Sequence, residues 1–206
     1  DLENLLNEGA LLAARRNKKF ITMAELDEAA LKVMAGFEKK SRVVTEKERK
    51  LTAYHESGHA VVSFFLEHSD PVHHVTIIPR GAAGGMTVYR PEEDKTFSSK
   101  SEMFERIVSA LGGRMAEKLF LDDISTGASS DIERATKIVR NMVTKYGMSD
   151  LLGPVKYGTN DETPFVGRNM GHVRDYSEVT AAEIDTEVRR IMSDSYDRAQ
   201  AILSEH

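Results

Sequence analysis

The chain has 206 residues, 40% of them hydrophobic, enough for one good core or for one domain with part of another attached. Its 28 basic and 33 acidic residues are interspersed and leave a net charge of -5, which argues against a nucleic-acid groove or a polybasic membrane patch. Cysteine is absent, which excludes disulfides and any thiolate metal site.

The first segment, Asp1 to about Lys19, carries Leu2, Leu5, Leu6, Leu11, Leu12 and Ala13 at helical spacing. A second helix is predicted from the capping box Thr22-Met23-Ala24-Glu25 to a stop at Gly36. Two short helices cannot bury both of their faces alone, so residues 1–36 are expected to be the trailing edge of a neighbouring domain. The chain opens on Asp1 rather than methionine, which fits a piece of something longer. Residues 37–44 read as a linker within a charge-dense, solvated connector, Glu38 to Lys50.

Thr45-Glu46-Lys47-Glu48 is another capping box, and Leu51, Tyr54, Gly58, Val61, Val62 and Phe65 continue it as a helix that stops before Ser69-Asp70-Pro71. The apolar run from Ala60 to Leu66 is far too short to span a bilayer. Val72 to Ile78 is a predicted strand, followed by a glycine-rich turn and a second strand, Met86 to Arg90. That second strand is a candidate edge for an extended peptide. His73 and His74 are adjacent in a strand and face opposite ways, which speaks against a metal site there.

Ser99-Lys100-Ser101-Glu102 is a third capping box, opening a helix whose apolar stripe runs through Gly112-Gly113, glycines expected to meet the Gly58 surface. The small-residue run Ser125 to Ser130 leads into Asp131, and Ser130 with Glu133 reads as a fourth capping box for a helix reaching Tyr146 and Gly147. Residues 148–175 are irregular and expected to form a mobile or substrate-facing loop, and Ser177 to Ser204 forms a last helix.

The chemistry concentrates in His55-Glu56-Ser57-Gly58-His59. Residues four apart share a helix face, so both imidazoles can address one ion while Glu56 reaches its open side. Zinc favours imidazole nitrogen in tetrahedral geometry, and a catalytic site keeps the fourth position for water. Gly58, costly by about 1 kcal/mol inside a helix, implies that another element packs close beside the metal. A third ligand is still owed. Val62 and Phe65 occupy the positions where the metzincin pattern has glycine and histidine, so a carboxylate from a later helix is the natural substitute. Glu92, Glu93, Glu117, Asp122, Asp123 and Asp131 qualify by type. Asp131 stands out because small residues precede it and a helix start would hold it, although an ordinary acid placed to suit the helix dipole reads as well.

Five motifs in order resemble the FtsH family of membrane-anchored, ATP-dependent zinc proteases: His55-Glu56-Ser57-Gly58-His59, Asp70-Pro71-Val72-His73, Ile77-Ile78-Pro79-Arg80-Gly81, Leu111-Gly112-Gly113-Arg114, and Ser125-Thr126-Gly127-Ala128-Ser129-Ser130-Asp131. The resemblance implies a mainly α fold with a small β-sheet, in which a zincin-type HExxH helix sits in an α-helical peptidase domain over residues 45–206. It implies zinc, one Zn2+ per chain, on His55, His59 and Asp131, with Glu56 as the catalytic base, and residues 1–36 as the last helices of an AAA ATPase module. Ser57 stands where the family usually has alanine, and Gly84 where it usually has leucine. The Gly-x-x-x-x-Gly-Lys-Ser/Thr phosphate loop is absent, so ATP and Mg2+ would belong only to the full-length protein. Further implications are unfolded, damaged or membrane-extracted protein substrates, a homohexamer, and a membrane anchor outside this sequence that keeps the domain on the cytoplasmic side. The piece itself would then be soluble, with no nucleic-acid partner. A non-catalytic, zinc-stabilised ring-assembly module is the competing expectation.

Overall fold

A computed structural model describes residues 2–39, 43–81, 83–91, 93–158 and 176–206. The fold is mainly α with a two-stranded sheet, as expected: α1 (Leu2–Arg15), α2 (Met23–Ala35), α3 (Glu46–Phe64), β1 (Val72–Thr76), β2 (Met86–Tyr89), α4 (Lys100–Leu121), α5 (Ser129–Thr144) and α6 (Glu178–Glu205).

Three predicted capping boxes form. The Glu25 carboxylate returns to the Thr22 amide at 3.2 Å, Glu48 to the Thr45 amide at 2.9 Å, and Glu102 to the Ser99 amide at 2.6 Å. The fourth does not form. The 3-10 turn Thr126–Ala128 enters α5 with Ala128 at the N-cap, so Ser130 already lies inside the helix. The cap there is Ser125, whose hydroxyl accepts from the Gly127 amide at 3.1 Å. Two helices end earlier than their apolar periodicity suggested. At α1, Asn17 turns left-handed at φ 54° and the Lys18 amide reaches back to the Ala13 carbonyl at 2.9 Å. At α5, Gly147 turns at φ 59° and the Met148 amide closes on the Met142 carbonyl at 2.9 Å.

Helix α4 is the axis of the molecule, packed against α3, α5 and α6. Ile107 and Leu111 pack with Val139 and Val143 of α5 and Ile184 and Ile191 of α6. Around the helix, Val108 and Met115 meet Val62 of α3 and Ile202 and Leu203 of α6. Each such side chain contributes about 1.5–3 kcal/mol on burial, so α4 holds its neighbours by apolar area. Where α3 crosses α4 there is no room for a side chain. A Cβ on Gly58 would lie 2.4 Å from the Gly112 carbonyl oxygen, and one on Gly112 would lie 2.7 Å from that of Gly58. Of the paired glycines, Gly112 meets the Gly58 surface as the sequence suggested, while Gly113 faces His55 and His59.

Strands β1 and β2 pair antiparallel, with Val75 opposite Thr87 and Thr76 opposite Met86, and an irregularity between Val72 and His74. His73 is exposed and His74 half-buried, on opposite faces. β1 ends at Thr76, short of Ile78, because the Thr76 hydroxyl accepts from the Ile78 amide at 3.0 Å and turns the chain.

Helices α1 and α2 pack on each other, with Lys32 paired to Glu8 and with Arg16 and Lys18 gripping Glu25. The segment that leaves them is not a plain solvated connector. The Lys39 amide donates to the Pro79 carbonyl at 2.8 Å, and the buried Arg80 guanidinium meets Glu38 at 2.5 Å. Residues 148–158 form no helix or strand, in line with their irregular pattern, and the rest of the 148–175 loop reading lies outside the described residues.

Candidate metal centre and active site

The middle of α3 places His55, Glu56 and His59 among the buried residues of that helix. Each imidazole is fixed from behind at Nδ1. His55 Nδ1 donates to Glu117 Oε1 of α4 at 2.7 Å, and His59 Nδ1 donates to the Ser109 carbonyl of α4 at 2.8 Å. A carboxylate and a carbonyl can only accept, so both Nδ1 atoms carry the hydrogen and both Nε2 atoms present lone pairs.

Those two lone pairs converge with a carboxylate. The Nε2 atoms are 3.1 Å apart, and Asp131 Oδ2, from the first turn of α5, lies 3.3 Å from that of His55 and 3.5 Å from that of His59. Three acceptors at this spacing repel unless a cation or a proton lies between them. Zinc binds nitrogen and oxygen at about 2.0–2.2 Å, and tetrahedral angles then set ligand atoms about 3.3 Å apart, so the triangle has the size a zinc ion requires. Among the described residues this is the one group of three histidines or acids close enough to share a metal ion.

Glu117 does more than orient His55. It is fully buried, and it also accepts from the Ser125 amide at 2.7 Å and the Ser125 hydroxyl at 3.1 Å. Ser125 caps the turn that feeds α5, so one carboxylate fixes both His55 and the approach to Asp131. Burial pushes the Asp131 carboxyl up, but with no metal between them a second proton on the His55 and His59 rings gives hydrogen bonds and positive charge that outweigh it and hold the group far below the usual carboxylate range. The same balance acts on His55: burial lowers its pKa, while Asp131, Glu117 and Glu56 together raise it above the ordinary imidazole value.

Of the acids weighed as third ligand, Asp131 is the one brought to the histidines. Glu117 stands behind His55, Glu93, Asp122 and Asp123 are exposed and outside the cluster, and Glu92 falls outside the described residues. Two contributors had no mark in the sequence: the Ser109 carbonyl and the hydroxyl of Thr87 in β2, which donates to Glu56 Oε2 at 2.7 Å. The site opens into a cleft of about 470 Å³, walled by α3 on one side and by Gly85, Met86, Thr87 and Tyr89 on the other.

A family model, peptidase family M41, matches residues 42–206. The chain belongs to peptidase family M41. Its relatives agree. It is 61% identical over its whole length to the ATP-dependent zinc metalloprotease FtsH 1 of Thermoanaerobacter sp. (strain X514), covering 34% of that protein. It is 60% identical over its whole length to the ATP-dependent zinc metalloprotease FtsH of Caldicellulosiruptor bescii, covering 33% of that protein. Against the FtsH of Rubrobacter xylanophilus the identity is 51% over 98% of this chain and 31% of the relative. The chain thus spans about a third of the length of the M41 relatives it matches. The resemblance to FtsH read from the motifs therefore holds. No helix among the described residues of this M41 chain is long and apolar enough to cross a membrane.

Proposed function

We propose that this chain is the proteolytic part of an ATP-dependent zinc metalloprotease and hydrolyses peptide bonds in unfolded proteins. The observation that carries the reading is the triangle of His55 Nε2, His59 Nε2 and Asp131 Oδ2 beside Glu56 in an open cleft. His55, His59 and Asp131 would hold the zinc ion. Bound zinc supplies a Lewis acid that polarises the scissile carbonyl and makes water a stronger acid.

Glu56 is the general base. Its Oε2 is occupied by Thr87, and no hydrogen bond among the described residues engages Oε1, which is left to take the proton of the attacking water and return it to the leaving amine. Met86 to Tyr89 lies along the cleft, and an extended substrate is proposed to run beside it. The three-residue metal cluster, without a fourth protein ligand among the described residues, favours a catalytic centre over a closed structural one. Residues 1–36 are read as the end of an AAA module, 37–44 as its link, and 45–206 as the peptidase. ATP and Mg2+, a homohexameric ring, a membrane anchor and a cytoplasmic setting are assigned to the longer protein.

The test is Glu56→Gln beside Asp131→Asn, followed by zinc content after dialysis and by casein cleavage. Glu56→Gln should keep zinc and lose turnover, and Asp131→Asn should lose zinc. Casein cleavage surviving in Glu56→Gln would refute the assignment.

A further inference from the structure

Glu56 reaches the cleft from a helix, yet what holds it belongs to the sheet. The Thr87 hydroxyl lies 2.7 Å from Glu56 Oε2 and 3.2 Å from the Glu56 carbonyl oxygen. A hydroxyl has one hydrogen to give, and the shorter bond to an ionised group is the stronger, so the hydrogen goes to the carboxylate. The stem of the side chain is confined as well. A Cβ on Gly85, one residue before β2, would lie 2.9 Å from Glu56 Cγ and 2.5 Å from Thr52 Cγ2, so the chain entering β2 is pressed against the glutamate. Thr87 itself is fixed by its pairing with Val75 in β1.

We propose that Thr87 is the positioning residue of Glu56: its hydroxyl pins Oε2 so that Oε1 alone points to the reacting water. This rests on the reading of Glu56 as the general base. Without the pin, the carboxylate rotates about its last bond and shares the proton-accepting role between two oxygens, one of them misplaced. Loss of alignment by a fraction of an ångström to 1 Å at a reacting group costs up to about a hundredfold in rate.

The experiment uses Thr87→Val, which keeps the shape and removes the donor, Thr87→Ser, which keeps the donor, and Glu56→Gln, all in the zinc-loaded protein. Thr87→Val should lower kcat about tenfold or more with KM, zinc content and melting temperature unchanged, and Thr87→Ser should restore most of the loss. A second readout needs no turnover: in a crystal structure of metal-free Thr87→Val the Glu56 carboxylate should leave its single orientation, and in Thr87→Ser it should keep it. Wild-type kcat in Thr87→Val together with an inactive Glu56→Gln overturns the positioning role and leaves the base assignment standing. Loss of zinc or of melting temperature in Thr87→Val, or an equal loss of kcat in Thr87→Ser, makes Thr87 merely structural and also overturns it. Activity retained in Glu56→Gln removes the base assignment and the proposal with it.

Discussion

Gly113→Ala is the sharpest perturbation of the proposed metal centre, because it changes none of the proposed ligands. Gly113 lies in α4 against the Nε2 ends of the two imidazoles, and a Cβ there would be 2.6 Å from His59 Nε2 and 2.7 Å from His55 Nε2. Ordinary contact between heavy atoms is about 3.5 Å, so the rings would have to retreat by nearly 1 Å. They are not free to do so. His55 is tethered to Glu117 at 2.7 Å and His59 to the Ser109 carbonyl at 2.8 Å, both from α4 itself. Metal coordination tolerates ligand displacements of about 0.2 Å, so zinc affinity should fall on the order of a hundredfold. Alanine is the better helix former by about 1 kcal/mol, so local helix stability works against the expected loss and cannot imitate it. The assay is competition for zinc with a chromophoric chelator near neutral pH, with circular dichroism to establish that the helices remain. Gly84→Ala is the control, since its Cβ would meet nothing nearer than Thr52 Oγ1 at 3.8 Å. Wild-type zinc affinity in Gly113→Ala would show that the rings or α4 yield cheaply, and the argument from a rigid site would be wrong.

Gly58→Ala acts on the fold instead: its Cβ would press on the Gly112 carbonyl oxygen at 2.4 Å and on Ala116 Cβ at 2.6 Å, in the α3–α4 crossing. Backbone cannot swing aside as a flexible side chain can, so a destabilisation of about 1–3 kcal/mol is expected in thermal or urea unfolding, and an unchanged midpoint would contradict it. Acidification should narrow the difference in melting temperature between the zinc-loaded and metal-free forms. In the metal-free protein the raised His55 pKa gives stability that is full below the unfolded value of about 6.5 and is lost as pH rises through the folded value. The lowered Asp131 pKa gives stability present above the unfolded value of about 3.9 and lost as pH falls through its folded value. From about pH 8 to pH 6 the first effect strengthens the metal-free form while protons compete with zinc for His55, and a gap that widened over that range would refute the sign.

What the sequence disclosed about the site follows from where its information is local. His55, Glu56 and His59 belong to one helix, so spacing alone puts them on one face, and three capping boxes locate helix starts from four residues each. The third proposed ligand lies across the fold, and although small residues and a helix start single out Asp131 over Glu117, the same pattern fits an ordinary acid suited to the helix dipole equally well. Both are acids of later helices, and the structure distinguishes them by depth: Glu117 is fully buried behind the ring, whereas Asp131 is only partly buried and faces the Nε2 atoms. The Ser130–Glu133 box failed for a related reason. Its pattern is correct, but Ser125 is recruited by Glu117 and the chain enters α5 two residues earlier, so a tertiary bond decided the cap. Thr87 and the Ser109 carbonyl act through β-pairing and helix packing and leave no signature at the positions they serve.

The proposed metal site and the helix crossing are one piece of packing. Gly58 lets α3 touch α4 at Gly112, and the next residue of each helix, His59 and Gly113, then meets across the same contact with a clearance too small for a methyl group. The close approach that the glycines permit is what brings the Ser109 carbonyl and Glu117 within reach of the two Nδ1 atoms. A looser crossing would leave the rings free to rotate, and rotating imidazoles hold zinc weakly however well their spacing is chosen. The apolar contacts of α4 with α3, α5 and α6 therefore set the aim of the histidines as well as the stability of the domain.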